Sequence, residues 1–199
     1  MRTPARTSRR IRLILLVAPV MGCALAAASL LQLQADSGGT AVYWNRRWNF
    51  CIDYPSAWVP YEPFDRSGVE LRASGNRAST GVISVGGLPT QAREDDPSKL
   101  QTPLEQLEWA LQEMGRSDEV QVLKAKEKGS REVAGHPGAN VTFSYRDHSG
   151  SWLAKELNFA QGEVTFSLGL KERREDQDKF EPVFERVVQS FRLDCRSAH

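Results

Sequence analysis

Between residues 119 and 171 the chain passes through four strand-like stretches, 119–128, 138–146, 151–160 and 163–171, separated only by short connections. A parallel pair of strands needs a crossover of about a dozen residues or more, and these connections leave no room for one, so neighbours must pair antiparallel. Asp147-His148-Ser149-Gly150 and Gln161-Gly162 carry hairpin-turn chemistry. Val141, Phe143 and Tyr145 alternate with polar residues, the period of a half-buried strand. In the next stretch Trp152, Ala154, Glu156 and Asn158 share one face. An antiparallel sheet is therefore the framework on which the rest must be placed.

Upstream, strands are expected over 48–54, 57–61, 69–73 and 80–87, with a turn at Pro55-Ser56. Gly81, Gly86 and Gly87 match neither a dinucleotide fingerprint nor a P-loop, and read as a bulge or bend in their strand. A helix is expected over 103–115. Thr102 is its N-cap, Pro103 suits the first turn, Glu105 completes a capping box, and Gly115 ends it. Leu104, Leu107, Leu111 and Met114 form its apolar stripe. A second helix is expected over 176–190, with Phe180, Val183, Phe184, Val187 and Phe191 on one face. Strands in runs and helices kept apart from them give an α+β fold, an antiparallel sheet of about six to seven strands covered by helices on its faces.

The first 35 residues differ from the remainder. They hold five arginines and no acid, and Leu13 to Leu31 is without charge. Three readings compete for residues 1–35. One is a cleaved signal peptide, with a small-residue site such as Ala24-Leu25-Ala26. Another is an uncleaved membrane anchor, with Arg9, Arg10 and Arg12 kept inside. The third is a lipoprotein leader, with Val20-Met21-Gly22-Cys23 as lipobox and Cys23 as the lipidated residue. Residues 36–42 read as a linker, and 43–199 as one domain. Either way the domain is expected outside the cytoplasm, periplasmic or on the cell surface. Outside the leader, 21 Lys and Arg face 25 Asp and Glu, a charge near −4. That balance gives no electrostatic case for nucleic acid.

Catalytic and cofactor chemistry finds little purchase. His136, His148 and His199 have no metal-ligand spacing, and no C-x-x-C or G-x-S-x-G occurs. Asp147-His148 reads first as a turn pair, and only second as a hydrolase's base and its orienter. No cofactor and no metal are expected. Tyr43, Trp44, Arg46 and Arg47, with Trp48 beside them, could instead form an aromatic and basic contact patch if exposed; if buried, Trp48 first among them, they would be a β-strand edge packed on the sandwich.

Three segments, in order, resemble one family. Phe50-Cys51-Ile52-Asp53-Tyr54-Pro55-Ser56-Ala57-Trp58 resembles the opening, Glu132-Val133-Ala134-Gly135-His136-Pro137-Gly138-Ala139 the central turn, and Phe180 to Phe191 the closing helix of the Mog/PsbP-like α/β/α sandwich superfamily. The resemblance spans residues 48–193 and implies a non-catalytic domain that binds another protein. It transfers no functional residue. In such a fold the first strand and the tail of the last helix could lie close, so Cys51 and Cys195 are expected as a disulfide; the competing reading is two unpaired thiols. The function expected is that of an exported or membrane-tethered protein-binding domain. Its partner is a protein, such as a membrane complex. The alternatives are a small-ligand or lipid carrier with a pocket between sheet and helices, and an unrecognised hydrolase.

Overall fold

The structure is a computed structural model that describes residues 39–63, 65–73, 81–96 and 98–195. The leader and Cys23 lie outside the described residues. Among the described residues ten strands and two helices follow one another: β1 (Thr40–Asn45), β2 (Phe50–Pro55), β3 (Trp58–Tyr61), β4 (Gly68–Ala73), β5 (Gly81–Pro89), α1 (Pro103–Arg116), β6 (Val122–Val133), β7 (His136–Asp147), β8 (Gly150–Gln161), β9 (Val164–Arg173), α2 (Glu181–Ser190) and β10 (Arg192–Leu193). Seven strands make one antiparallel sheet in the order β3-β4-β5-β9-β8-β7-β6, as the short connections require. The remaining three form a small second sheet, β1-β2-β10. That second sheet is not visible in the sequence pattern.

Several local expectations shift. Strand β1 begins at Thr40, so the segment read as linker through Val42 already belongs to the domain. No register shift occurs along β5, where Gly86 and Gly87 pair directly with Ser167 and Phe166; the bulge lies in β6, between Ala125 and Glu127. Helix α1 runs past Gly115 to Arg116 and ends at Ser117 in an extended conformation. Its start is as expected, with Glu105 N–H donating to Thr102 Oγ1 at 3.3 Å and Thr102 N–H donating to Glu105 Oε2 at 2.7 Å. Helix α2 starts only at Glu181, because Arg174–Asp176 form a separate 3-10 turn and Asp178 takes a left-handed φ of 66°.

The main core lies between the large sheet, α2 and the small sheet. Phe50, Phe159, Phe166 and Phe191 meet there at ring-centroid distances of 5.2 to 6.0 Å. Trp58 packs edge-on to Phe180 at 5.7 Å. A smaller core on the opposite face seats α1 through Leu107 on Val141, Phe143, Tyr145 and Trp152. The layers are therefore α2 with the small sheet, the large sheet, and α1. Residues of β2 and of the chain from the end of α2 onward close this arrangement. Ser190 Oγ accepts from Asp53 N–H at 2.8 Å, and Arg192 bridges Asp53 in a fork at 2.7 and 3.2 Å. Cys51 and Cys195 are bonded, with Cα atoms 5.9 Å apart.

Candidate functional site

The β1–β2 connection carries the aromatic and basic residues singled out in the sequence. Strand alternation divides them. Tyr43 and Asn45 point inward and are buried, whereas Val42 and Trp44 point outward, 62% and 37% exposed. Tyr43 is thus a core residue and not part of an exposed contact patch. Its hydroxyl donates to the Gly68 carbonyl at 3.2 Å, and burial above all pushes its pKa up to about 12.

Asn45, which the sequence reading passed over, organises the turn. Its Nδ2 donates to the Arg66 carbonyl at 3.1 Å, and its Oδ1 accepts from Trp48 N–H at 2.9 Å. The side chain thereby ties residues 46–49 to the loop before β4. Asn49 completes the turn with a left-handed φ of 50°. An Asn three residues before the Trp, at the start of a turn, is the one signal that could have pointed to this, since Asn side chains cap local backbone N–H groups. Trp48 is half-buried, and its ring lies against Gly87; a Cβ there would stand 2.7 Å from the indole. The glycine read as a bend is therefore a seat for an aromatic ring.

What remains outside is cationic. The Arg46 guanidinium lies 5.1 Å from the centre of the Trp44 ring, and that of Arg47 5.0 Å from Trp48. Arg47 also donates to the Asp65 carbonyl at 2.6 Å. Trp44, Arg46 and Arg47, with Arg66, Glu62 and the inward-pointing Tyr43 and Asn45, line a surface depression of about 500 Å³. Its walls hold three arginines against one acid. Beside it, β1 is an edge strand among the described residues, paired there with β2.

A second polar region lies on the α1 face of the large sheet. Register places Glu70, Ser84, Gly169 and Glu156 in one row across β4, β5, β9 and β8, and Gly86, Ser167 and Asn158 in the next. Burial pushes the Glu156 pKa up to about 7, with a hydrogen bond from Ser167 working against it. Asn158 Oδ1 and both amide atoms of the α1 residue Gln106 are buried without a protein partner.

The Asp147-His148 pair is a turn and is built as one. One Asp147 oxygen accepts from Ser149 N–H at 2.8 Å, from Gly150 N–H at 3.0 Å and from Trp152 Nε1 at 3.0 Å. Partial burial raises the carboxyl's pKa, but these bonds and Lys171 outweigh it and bring it down to about 2. Its hydrogen bonds go to the turn rather than to His148. Among the described residues no three His, Cys, Asp or Glu side chains group as a metal site, and no helix is long and apolar enough to cross a membrane.

No family model and no curated protein matches the chain. Solved structures do. It superposes on the solution structure of the PsbP protein CyanoP from the cyanobacterium Synechocystis with a TM-score of 0.58 and 13% identity, covering 78% of this chain and 93% of that one. It also superposes on LpqN of Mycobacterium tuberculosis, described as involved in cell envelope biogenesis, with a TM-score of 0.50 and 9% identity, covering 79% and 86%. At such identities the likeness is one of fold, and it agrees with the three segments that resembled this superfamily. The chain has the PsbP-like α/β/α sandwich fold.

Proposed function

We propose that the chain is an exported, non-catalytic docking domain that holds an acidic protein partner against the β1 edge. The observation that carries this reading is the outward side of the β1–β2 connection. There Trp44 stands exposed with Arg46, Arg47 and Arg66 around an open depression, and Val42 is exposed on the same side of β1. Aromatic and arginine side chains in a concave setting are the types that dominate binding energy at interfaces. Three arginines against one acid favour a partner of opposite sign. The Cys51–Cys195 bond supports a location outside the cytoplasm, because such bonds persist in oxidising compartments. The apolar leader supports export, with or without retention in the membrane.

The carrier reading has less support. The space between the large sheet and α2 is filled by Phe50, Phe159, Phe166, Phe184 and Phe191, each almost fully buried. The hydrolase reading loses the orienting carboxylate, which the turn engages. Capture of partner from the membrane fraction by wild type and by Trp44→Ala, with matched circular dichroism, tests the proposal. Loss of capture in the variant is expected, and equal capture by both proteins would contradict it.

A further inference from the structure

A second cationic site stands apart from the β1–β2 patch, at the far end of the large sheet. Lys124 and Ser144 are direct partners across β6 and β7, and Arg146 and Ser151 across β7 and β8. Ser144 and Arg146 alternate with Phe143 and Tyr145, which are buried on the α1 side, so all four side chains rise from the other face. Arg174, in the 3-10 turn after β9, joins them at the cleft. The five residues, with Tyr145 and Trp152, line a cleft of about 200 Å³.

Its chemistry is one-sided. Three cations from three separate elements line it, with two serine hydroxyls and no carboxylate. Arg146 Nε donates to Ser151 Oγ at 3.3 Å, a neutral contact that orients the guanidinium without neutralising it. The side chains of Lys124, Arg146 and Arg174 form no ion pair among the described residues, whereas Lys128, Arg131, Lys155 and Lys179 each have a carboxylate within reach. All this sits in a domain whose net charge is near −3. Like charges gathered in one concavity repel one another, and a bound anion relieves that repulsion. Arginine forks, an ammonium and hydroxyl donors form the set that recognises a tetrahedral oxyanion.

We infer that this cleft binds a compact oxyanion, a phosphate or sulfate group, carried either on a soluble ester or on a lipid headgroup. The site is independent of the docking patch and stands or falls separately from it.

The test is a titration of the full chain with inorganic phosphate at constant ionic strength, followed in amide spectra, for wild type, Lys124→Gln/Arg146→Gln and the control Arg116→Gln. Saturable shifts confined to 124, 144–146, 151 and 174 are expected. Affinity should fall at least about tenfold in the double variant and stay unchanged in the control. Shifts spread evenly over basic residues, or surviving undiminished in the folded double variant, would overturn the inference. A second arm assigns the source, using sedimentation with phosphatidylcholine vesicles and with equimolar phosphatidylglycerol and phosphatidylcholine. A phosphatidylglycerol-dependent difference between wild type and double variant, which share the same leader, supports the headgroup. Phosphate binding without that difference supports the soluble ester.

Discussion

The carboxylate of Glu156 lies over the bare backbone of Gly169, its cross-strand partner: a Cβ at 169 would stand 2.7 Å from both carboxylate oxygens. The sheet therefore holds a part-buried acid where it would ordinarily carry an apolar residue, and burial raises its pKa from 4.5 to about 7. Between these values the unfolded chain is ionised at this residue and the folded chain keeps its proton. The contribution is fully present below the lower value and is lost as pH rises through the upper one. Glu156→Gln should therefore be more stable than wild type by about 1–3 kcal/mol near pH 8 and nearly equal to it near pH 4. Urea midpoints of both proteins at the two pH values check this. A difference independent of pH would refute it.

The clasp between Cys51 and Cys195 joins β2 to the residues after β10, 144 positions apart. Closing so long a loop stabilises by about 4–5 kcal/mol in the chain-entropy limit. Cys51→Ala/Cys195→Ala should lose up to that amount in denaturant unfolding. Reductant should lower the wild-type midpoint toward the variant's and leave the variant's own unchanged.

Phe191 stacks on Phe50 and meets Phe159 and Phe166 edge-on, at distances of 5.2 to 5.5 Å. It couples α2, the small sheet and the large sheet through one ring. Phe191→Ala should cost about 3–5 kcal/mol, while Phe191→Leu, which keeps most of the volume, should cost less than half of that. Thermal and denaturant unfolding would show it.

The extent to which these features could be read beforehand depended on how local their cause was. The capping box at Thr102 and Glu105, the Asp147–Gly150 turn and the phenylalanine stripe of α2 are set by neighbours in sequence, and were legible. Strand β1 was not, because its first residues, Thr40 to Val42, have a linker's composition and become a strand only by pairing with Asp53 to Pro55. Tyr43 was misplaced because residues adjacent in sequence fall on opposite faces once that strand forms. Gly87 owes its position to Trp48, and the cationic cleft to register among three strands; neither relationship has a local signature. Strand β10 is two residues long, and the pairing that defines it with β2 is invisible in its own pattern.

Asp147 holds its turn, and His148 stands exposed beside it. Asp147→Ala should cost about 1–3 kcal/mol, because it strips acceptors from Ser149, Gly150 and the Trp152 indole at once. His148→Ala should fall within about 0.5 kcal/mol of wild type. The Asp147 pKa of about 2 lies below its ordinary 3.8, so its contribution is complete at neutral pH and is lost as pH falls through that interval. Unfolding measured down to about pH 2 should show that loss in wild type and not in Asp147→Ala.

The central claim is that the exposed side of β1 and its turn meets a partner. Site-specific photo-crosslinking in the intact envelope tests it most directly, with the crosslinker at Val42 or Arg46 and a control at Leu100, an exposed residue outside the patch. A discrete adduct from positions 42 and 46, absent from position 100 and lost with Trp44→Ala, is the predicted result. The same adduct from all three positions, or one that persists without Trp44, would contradict the claim.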